Sequence, residues 1–109
     1  MAYTYKVLAQ SAPSATTATD VYTVGSGKQA IISTITVANR SATARTYRIA
    51  IRPAGATLAN EHYIAYDVSL AANDTTALTL GITLTATDVV TVYASTTDLS
   101  FGIFGSEIS

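Results

Sequence analysis

The chain contains no cysteine and no tryptophan, and only one histidine, one methionine and two prolines in 109 residues. Without cysteine, neither a disulfide nor a thiolate metal site can form. The fold must therefore be held by its core. A chain of this length buries about two-thirds of its unfolded surface, enough for one core without staples, and a single domain over 1–109 is expected. Charge is also scarce: Asp, Glu, Lys and Arg make up 12%, where a typical globular chain carries about 25%. No apolar run approaches the roughly 20 residues needed to cross a bilayer. The opening Met1-Ala2-Tyr3-Thr4-Tyr5-Lys6 lacks the apolar segment of a secretory signal. A soluble product made in a cytoplasm, with no membrane partner, is the expectation.

Thr and Ala fill the gap, with 19 residues each. Much of the surface must then be Thr, Ser and Ala, which lose water cheaply because few ions are involved. Such a surface suits packing against neighbours; it also suits an ordinary Thr-rich sheet face. The few charges are ordered along the chain. Lys6, Lys28, Arg40, Arg45, Arg48 and Arg52 all lie in residues 1–52, opposed only by Asp20, for a sum of +5. From Pro53 onward there are six carboxylates and no Lys or Arg. The default expectation is that the two halves pair within one subunit. The alternative is that a positive face of one copy meets a negative face of the next.

The clearest local pattern is in residues 30–53. In 44–52, Arg45, Tyr47, Ile49 and Ile51 fall on one face and Thr46, Arg48, Ala50 and Arg52 on the other. That period of two defines a strand with one apolar side. Residues 30–38 read as a second strand, and the polar 39–43 between them as the turn of a hairpin. Its inward face is expected to carry Ile31, Ile35, Tyr47, Ile49 and Ile51. Further strands are expected at 3–10, 20–24, 61–68, 89–94 and 99–104. One more follows from Leu78, Leu80, Ile82 and Leu84 alternating with Thr79, Gly81, Thr83 and Thr85, where Gly81 marks a bulge or bend. Residues 11–19 read as a loop or extended arm. About eight short strands with frequent turns, and no amphipathic helical stretch, predict an all-β antiparallel sandwich of jelly-roll type.

Chemical motifs do not emerge. Gly25-Ser26-Gly27-Lys28 has neither the glycine spacing nor the following Ser/Thr and helix of a phosphate loop. His62 has no partner at metal-ligand spacing, and no Gly-x-Ser-x-Gly elbow accompanies it. Asn73, Asp74 and Asp88 sit in turns, where such residues usually bond their own backbone. No enzyme activity, cofactor or metal is expected. The cluster Arg40, Arg45, Arg48 and Arg52 could face nucleic acid, but a sequence pI of about 5.6 argues against it. Arginine is equally at home opposite carboxylates in protein contacts, so a protein partner is expected and no nucleic acid. The candidate interface is Arg40, Arg45, Arg48 and Arg52, with Tyr63 and Tyr66. Tyr47 and Tyr93 are expected to be ordinary strand residues with exposed hydroxyls.

Several stretches resemble small virion proteins of tailed bacteriophages, those of cyanophages especially. They are Tyr5-Lys6-Val7-Leu8-Ala9-Gln10, Asp20-Val21-Tyr22-Thr23-Val24 and Val37-Ala38-Asn39-Arg40, then Tyr63-Ile64-Ala65-Tyr66-Asp67, Leu80-Gly81-Ile82-Thr83-Leu84-Thr85-Ala86-Thr87-Asp88-Val89-Val90-Thr91-Val92-Tyr93-Ala94 and Phe104-Gly105-Ser106-Glu107-Ile108. Where those relatives follow the valine with a proline-glycine turn, this chain has Gly25-Ser26-Gly27. The resemblance implies a β-sandwich accessory part of a phage particle. Its leading form is a capsid decoration (cement) protein that sits on the major capsid protein as a trimer or dimer. A tail, neck or baseplate component is the second form. A carbohydrate-binding module for host glycans is a third reading.

Overall fold

The computed structural model describes residues 2–109 and is built of nine strands. They are β1 (Tyr3–Ser11), β2 (Thr19–Thr23), β3 (Gln29–Asn39), β4 (Arg45–Arg52), β5 (Tyr63–Leu70), β6 (Thr75–Leu78), β7 (Ile82–Thr85), β8 (Val89–Ala94) and β9 (Leu99–Ile108). Short 3₁₀ turns at Pro53–Gly55 and Asn60–His62 lie between β4 and β5. One sheet has the order β1-β9-β3-β6, with β7 also on β3; the other has the order β2-β8-β4-β5. All ladders between these strands are antiparallel. β6 and β7 lie along successive parts of β3 and act as one interrupted edge strand. Each sheet then has four strand positions, and only the β4–β5 connection stays within a sheet. This is the two-sheet jelly-roll order, as the short-strand pattern predicts.

The expected hairpin over 30–53 does not exist. β3 and β4 lie in different sheets and share no ladder. Their apolar faces meet across the core instead, Ala30, Ile32, Ile35 and Val37 from one side and Tyr47 and Ile49 from the other. A period of two shows that a strand has an apolar side. It does not say whether the next strand lies beside it or opposite it. A short polar link serves both arrangements.

The expected core face of β3 also needs correction. The β3–β9 register shifts between Ile32 and Thr34, so Ser33 is the extra residue of a bulge. Before it the even positions Ala30 and Ile32 are buried, and after it the odd positions Ile35 and Val37. Ile31, expected inside, therefore faces outward at 38% exposure. A one-residue insertion moves all later side chains to the other face. Likewise the strand expected around Leu78 to Leu84 is split, with Gly81 at φ 63° between β6 and β7. That split makes nine strands where eight are expected. The 11–19 segment does not swing free: Ala15 bridges Ala94, and the Thr16 N–H donates to the Ala94 carbonyl at 2.8 Å.

The core is continuous between the sheets and includes Val90, Val92, Leu99, Phe101 and Ile103. Tyr47 is buried in it and meets Phe101 edge to face at 6.3 Å. Burial pushes its phenol pKa up. A polar clamp closes the β1/β2 side of the sandwich. Glu107 on β9 receives the Tyr22 hydroxyl at 2.6 Å and pairs with Lys6 at 2.6 Å. Lys6 first, then Tyr22, hold its carboxyl below the usual carboxylate range, against a smaller opposing effect of burial.

A carboxyl whose folded pKa is depressed contributes stability that is full above its unfolded pKa, about 4.3. That contribution is lost as pH falls through the folded value. Glu107→Gln is therefore expected to cost about 1 kcal/mol at pH 7. The gap from wild type should close as the pH falls below the unfolded value. Urea melts across the acid range test this. A gap that is constant with pH would mean that the charge on Glu107 does no stabilising.

Candidate functional site

The candidate residues Arg40, Arg45, Arg48, Arg52, Tyr63 and Tyr66 do not form one site. Arg48, Tyr63 and Tyr66 come together on the outer face of the β2-β8-β4-β5 sheet, and the other three arginines are held elsewhere. β4 supplies Arg48, which is registered opposite Tyr93 of β8. On its other side the β4–β5 ladder pairs Tyr47 with Val68 and Ile49 with Ala65. Two residues of β5, Tyr66 and Asp67, thus stand opposite Arg48 alone. Asp67 takes φ 50°, left-handed backbone that aspartate tolerates better than most residues. This bulge lets two successive side chains reach one arginine, where a regular strand would turn one of them away.

The result is a stack. The Arg48 guanidinium carbon lies 4.2 Å from the Tyr66 ring centre and 4.3 Å from that of Tyr93. Asp67 grips its edge, with Nε to Oδ1 at 2.6 Å and Nη2 to Oδ2 at 3.3 Å. This is the bidentate pairing that arginine favours. The hydrogen bonds from Arg48 to Asp67 are the main influence pushing its pKa up, with burial opposing them. Tyr63 meets Tyr66 at right angles, with ring centres 4.9 Å apart. Asn60, Tyr63 and Tyr66 line a groove of about 500 Å³. Sequence reasoning missed Asp67 and Tyr93. An aspartate inside an otherwise strand-like run was the available signal, since Asp is depleted in strands and marks irregularity.

Arg52 is a local staple. It pairs with Asp20 at 2.8 Å, donates to the Thr91 hydroxyl at 3.0 Å and to the carbonyls of Gly55 and Ala56. The Thr91 hydroxyl in turn donates to Asp20. Arg45 pairs with Asp98 at 3.2 Å, while its Nε is buried with no partner among the described residues. The guanidinium of the exposed Arg40 donates to the Thr97 carbonyl. Of the four ion pairs among the described residues, three join the basic first half to the acidic second half. The two halves thus pair within one subunit.

Elsewhere polar groups serve the backbone. Asp88 accepts the N–H groups of Ala54 and Thr85 at 2.9 Å each, and Asp74 accepts that of Thr75. His62 Nδ1 accepts the Ala59 N–H at 3.0 Å. Among the described residues no three His, Asp or Glu side chains converge as a metal site would require. The resolved pKa shifts, upward for Tyr22, Tyr47 and Arg48 and downward for Glu107, all move titration away from neutral pH. Among the described residues no helix is long and apolar enough to cross a membrane. The chain matches no protein-family model, no curated protein and no solved structure.

Proposed function

We propose that this chain is a non-enzymatic accessory structural protein of a tailed-phage particle, foremost a capsid decoration protein that packs on the major capsid protein. Two things support the reading: the phage-like stretches along the chain, and a jelly roll whose surface is built for contact more than for chemistry. The observation that carries it is the closure of charge. Arg45, Arg48 and Arg52 are each spent on a carboxylate of the same chain. What remains outside is largely Thr, Ser, Ala and Tyr, and docking such a surface strips water from few ions. At the Arg48 stack a partner would meet a neutralised aromatic patch, which is how interface cores are composed.

Removing the protein from the particle is the test. Virions without it are expected to lose resistance to heat and osmotic shock while adsorbing to cells normally. Intact stability with lost adsorption would overturn the decoration role in favour of the tail or baseplate. One observation favours glycan recognition as a second reading. The exposed Tyr66, with Tyr63 set at right angles and Asn60 beside them, offers a ring face and an amide to a sugar. Retention on a glycan array that disappears in Tyr66→Ala would establish it.

A further inference from the structure

The strand that stands out at the surface is β1, which ends its sheet beyond β9. Tyr5 is 84% exposed, Tyr3 59% and Val7 50%, and all three lie on one face of the strand. The backbone there is also open. Ala2 and Ser109 exchange both N–H···O bonds, at 2.9 and 3.0 Å. In an antiparallel ladder such pairs alternate. With Tyr3 opposite Ile108 and Tyr5 opposite Ser106, Thr4 and Lys6 therefore turn their N–H and C=O toward β9. Tyr3, Tyr5 and Val7 turn theirs to the free edge.

The other sheet edges are blunted in the ways proteins use to prevent strand addition. β5 carries two register shifts. β2 has five residues and a shift of its own. The edge opposite β1 is broken between β6 and β7. β1 has its only irregularity past Val7. Its one lysine does not guard the edge, because Lys6 is drawn to Glu107 at 2.6 Å.

We propose that this edge pairs with the same edge of a second copy, antiparallel, about a twofold axis at Tyr5. The sequence of β1 is self-complementary in that register, as a twofold contact requires. Tyr5 meets Tyr5, and Tyr3 meets Val7 of the second copy. All three are hydrogen-bonded pairs on one apolar face, and Thr4 stands opposite Lys6. Moving the register by two toward Val7 would set Lys6 against Lys6, which is unfavourable, and moving it by two toward Tyr3 would take Val7 out of the paired apolar face. Moving it by one would turn the Tyr face of one copy against the Thr4/Lys6 face of the other. The two β1-β9-β3 sheets then run on as one. A contact of one short strand is at the small end of specific interfaces, so the dimer is weak and depends on concentration. The inference goes beyond the proposed function and does not rest on it.

The absence of cysteine makes the register directly testable. In Tyr5→Cys the new thiol lies opposite its own copy, where a hydrogen-bonded pair has a Cα separation of about 5.5 Å, within disulfide range. Under mild oxidation Tyr5→Cys is expected to cross-link into a dimer. Val7→Cys alone is not, but Val7→Cys with Tyr3→Cys is. Wild type in sedimentation should show a dimer that grows with concentration, and Tyr5→Lys should remain monomeric with an unchanged circular dichroism spectrum. Three results would overturn the inference: a wild-type monomer at every concentration, equal cross-linking of Tyr5→Cys and Val7→Cys, or a dimer that survives Tyr5→Lys. None of these touches the particle role, which stands or falls on virions lacking the protein.

Discussion

Gly105→Ala is expected to be the most destabilising single methyl the chain could gain. Gly105 lies on β9 between Lys6 of β1 and Ile32 of β3, where the β3 bulge begins. A Cβ built there runs into the Ile31 carbonyl oxygen and lies 3.0 Å from the Ile31 carbonyl carbon and the Ile32 Cα. These are backbone atoms of a strand paired on both sides, so they cannot turn away as a side chain can. Overpacking costs about 1–3 kcal/mol where side chains absorb it, and more where backbone must shift. We expect a loss of about 3 kcal/mol or more, from a total of about 5–15 for a domain. At about 4–8 °C per kcal/mol the melting point should fall by more than 10 °C. Gly102→Ala is the control. Its Cβ meets the Thr36 hydroxyl at 2.7 Å and the Phe104 ring at 2.8 Å, both on side chains that can rotate. Its loss should be clearly smaller. Equal melting of Gly105→Ala and wild type would mean that β3 and β9 do not approach as closely as described.

The second large effect is expected at Asn39, the last residue of β3, which is buried. Its amide Nδ2 donates to the carbonyls of Thr43 at 2.9 Å, and of Leu70 and Ala71 at 3.2 Å each. Its Oδ1 accepts the Ser41 N–H at 3.0 Å and the Ser41 hydroxyl at 2.8 Å. One side chain therefore ties the β3–β4 crossover to the end of β5. Asn39→Ala strands several of these groups, each costing about 1–3 kcal/mol when left buried without a partner. A total near 3 kcal/mol follows, read as a lower urea midpoint with an unchanged slope. Asn39→Asp is nearly isosteric and should be worse at pH 7, because a carboxylate cannot donate to three carbonyls. Protonation restores one donor, so the folded pKa of the new carboxyl is raised. Its defect must then shrink as the pH falls through that value. If Asn39→Asp were neutral at pH 7, the crossover would be held by something else.

The strands were legible because burial on one side leaves a period of two, and Tyr47, Ile49 and their neighbours carry it plainly. What faced what was not legible. β3 and β4 look like a hairpin because a five-residue polar link reads the same whether it turns beside a strand or crosses above it. The Ser33 bulge, which sends Ile31 outward, leaves no mark in composition, since a serine fits either face. The Arg48 stack was half visible. Its arginine and Tyr66 stood out by type, but Asp67 joins them only through a left-handed backbone turn within β5. The tendency of Arg45 and Arg48 to find acids of the same chain was visible only as a segregation of charge along the sequence, and the pairing of Arg52 with Asp20 of its own half was not visible even so. The exposed edge of β1 was the least visible feature. Its Tyr3, Tyr5 and Val7 alternate like a half-buried strand, and only the sheet order shows that this face is left outside.

A particle reconstruction that finds this protein and counts its copies tests the central claim most directly. A decoration protein is expected on the outer shell in hundreds of copies, with the Thr- and Tyr-rich faces of the jelly roll in contact. Six or twelve copies at the neck or baseplate, or no copies in the particle, would contradict it.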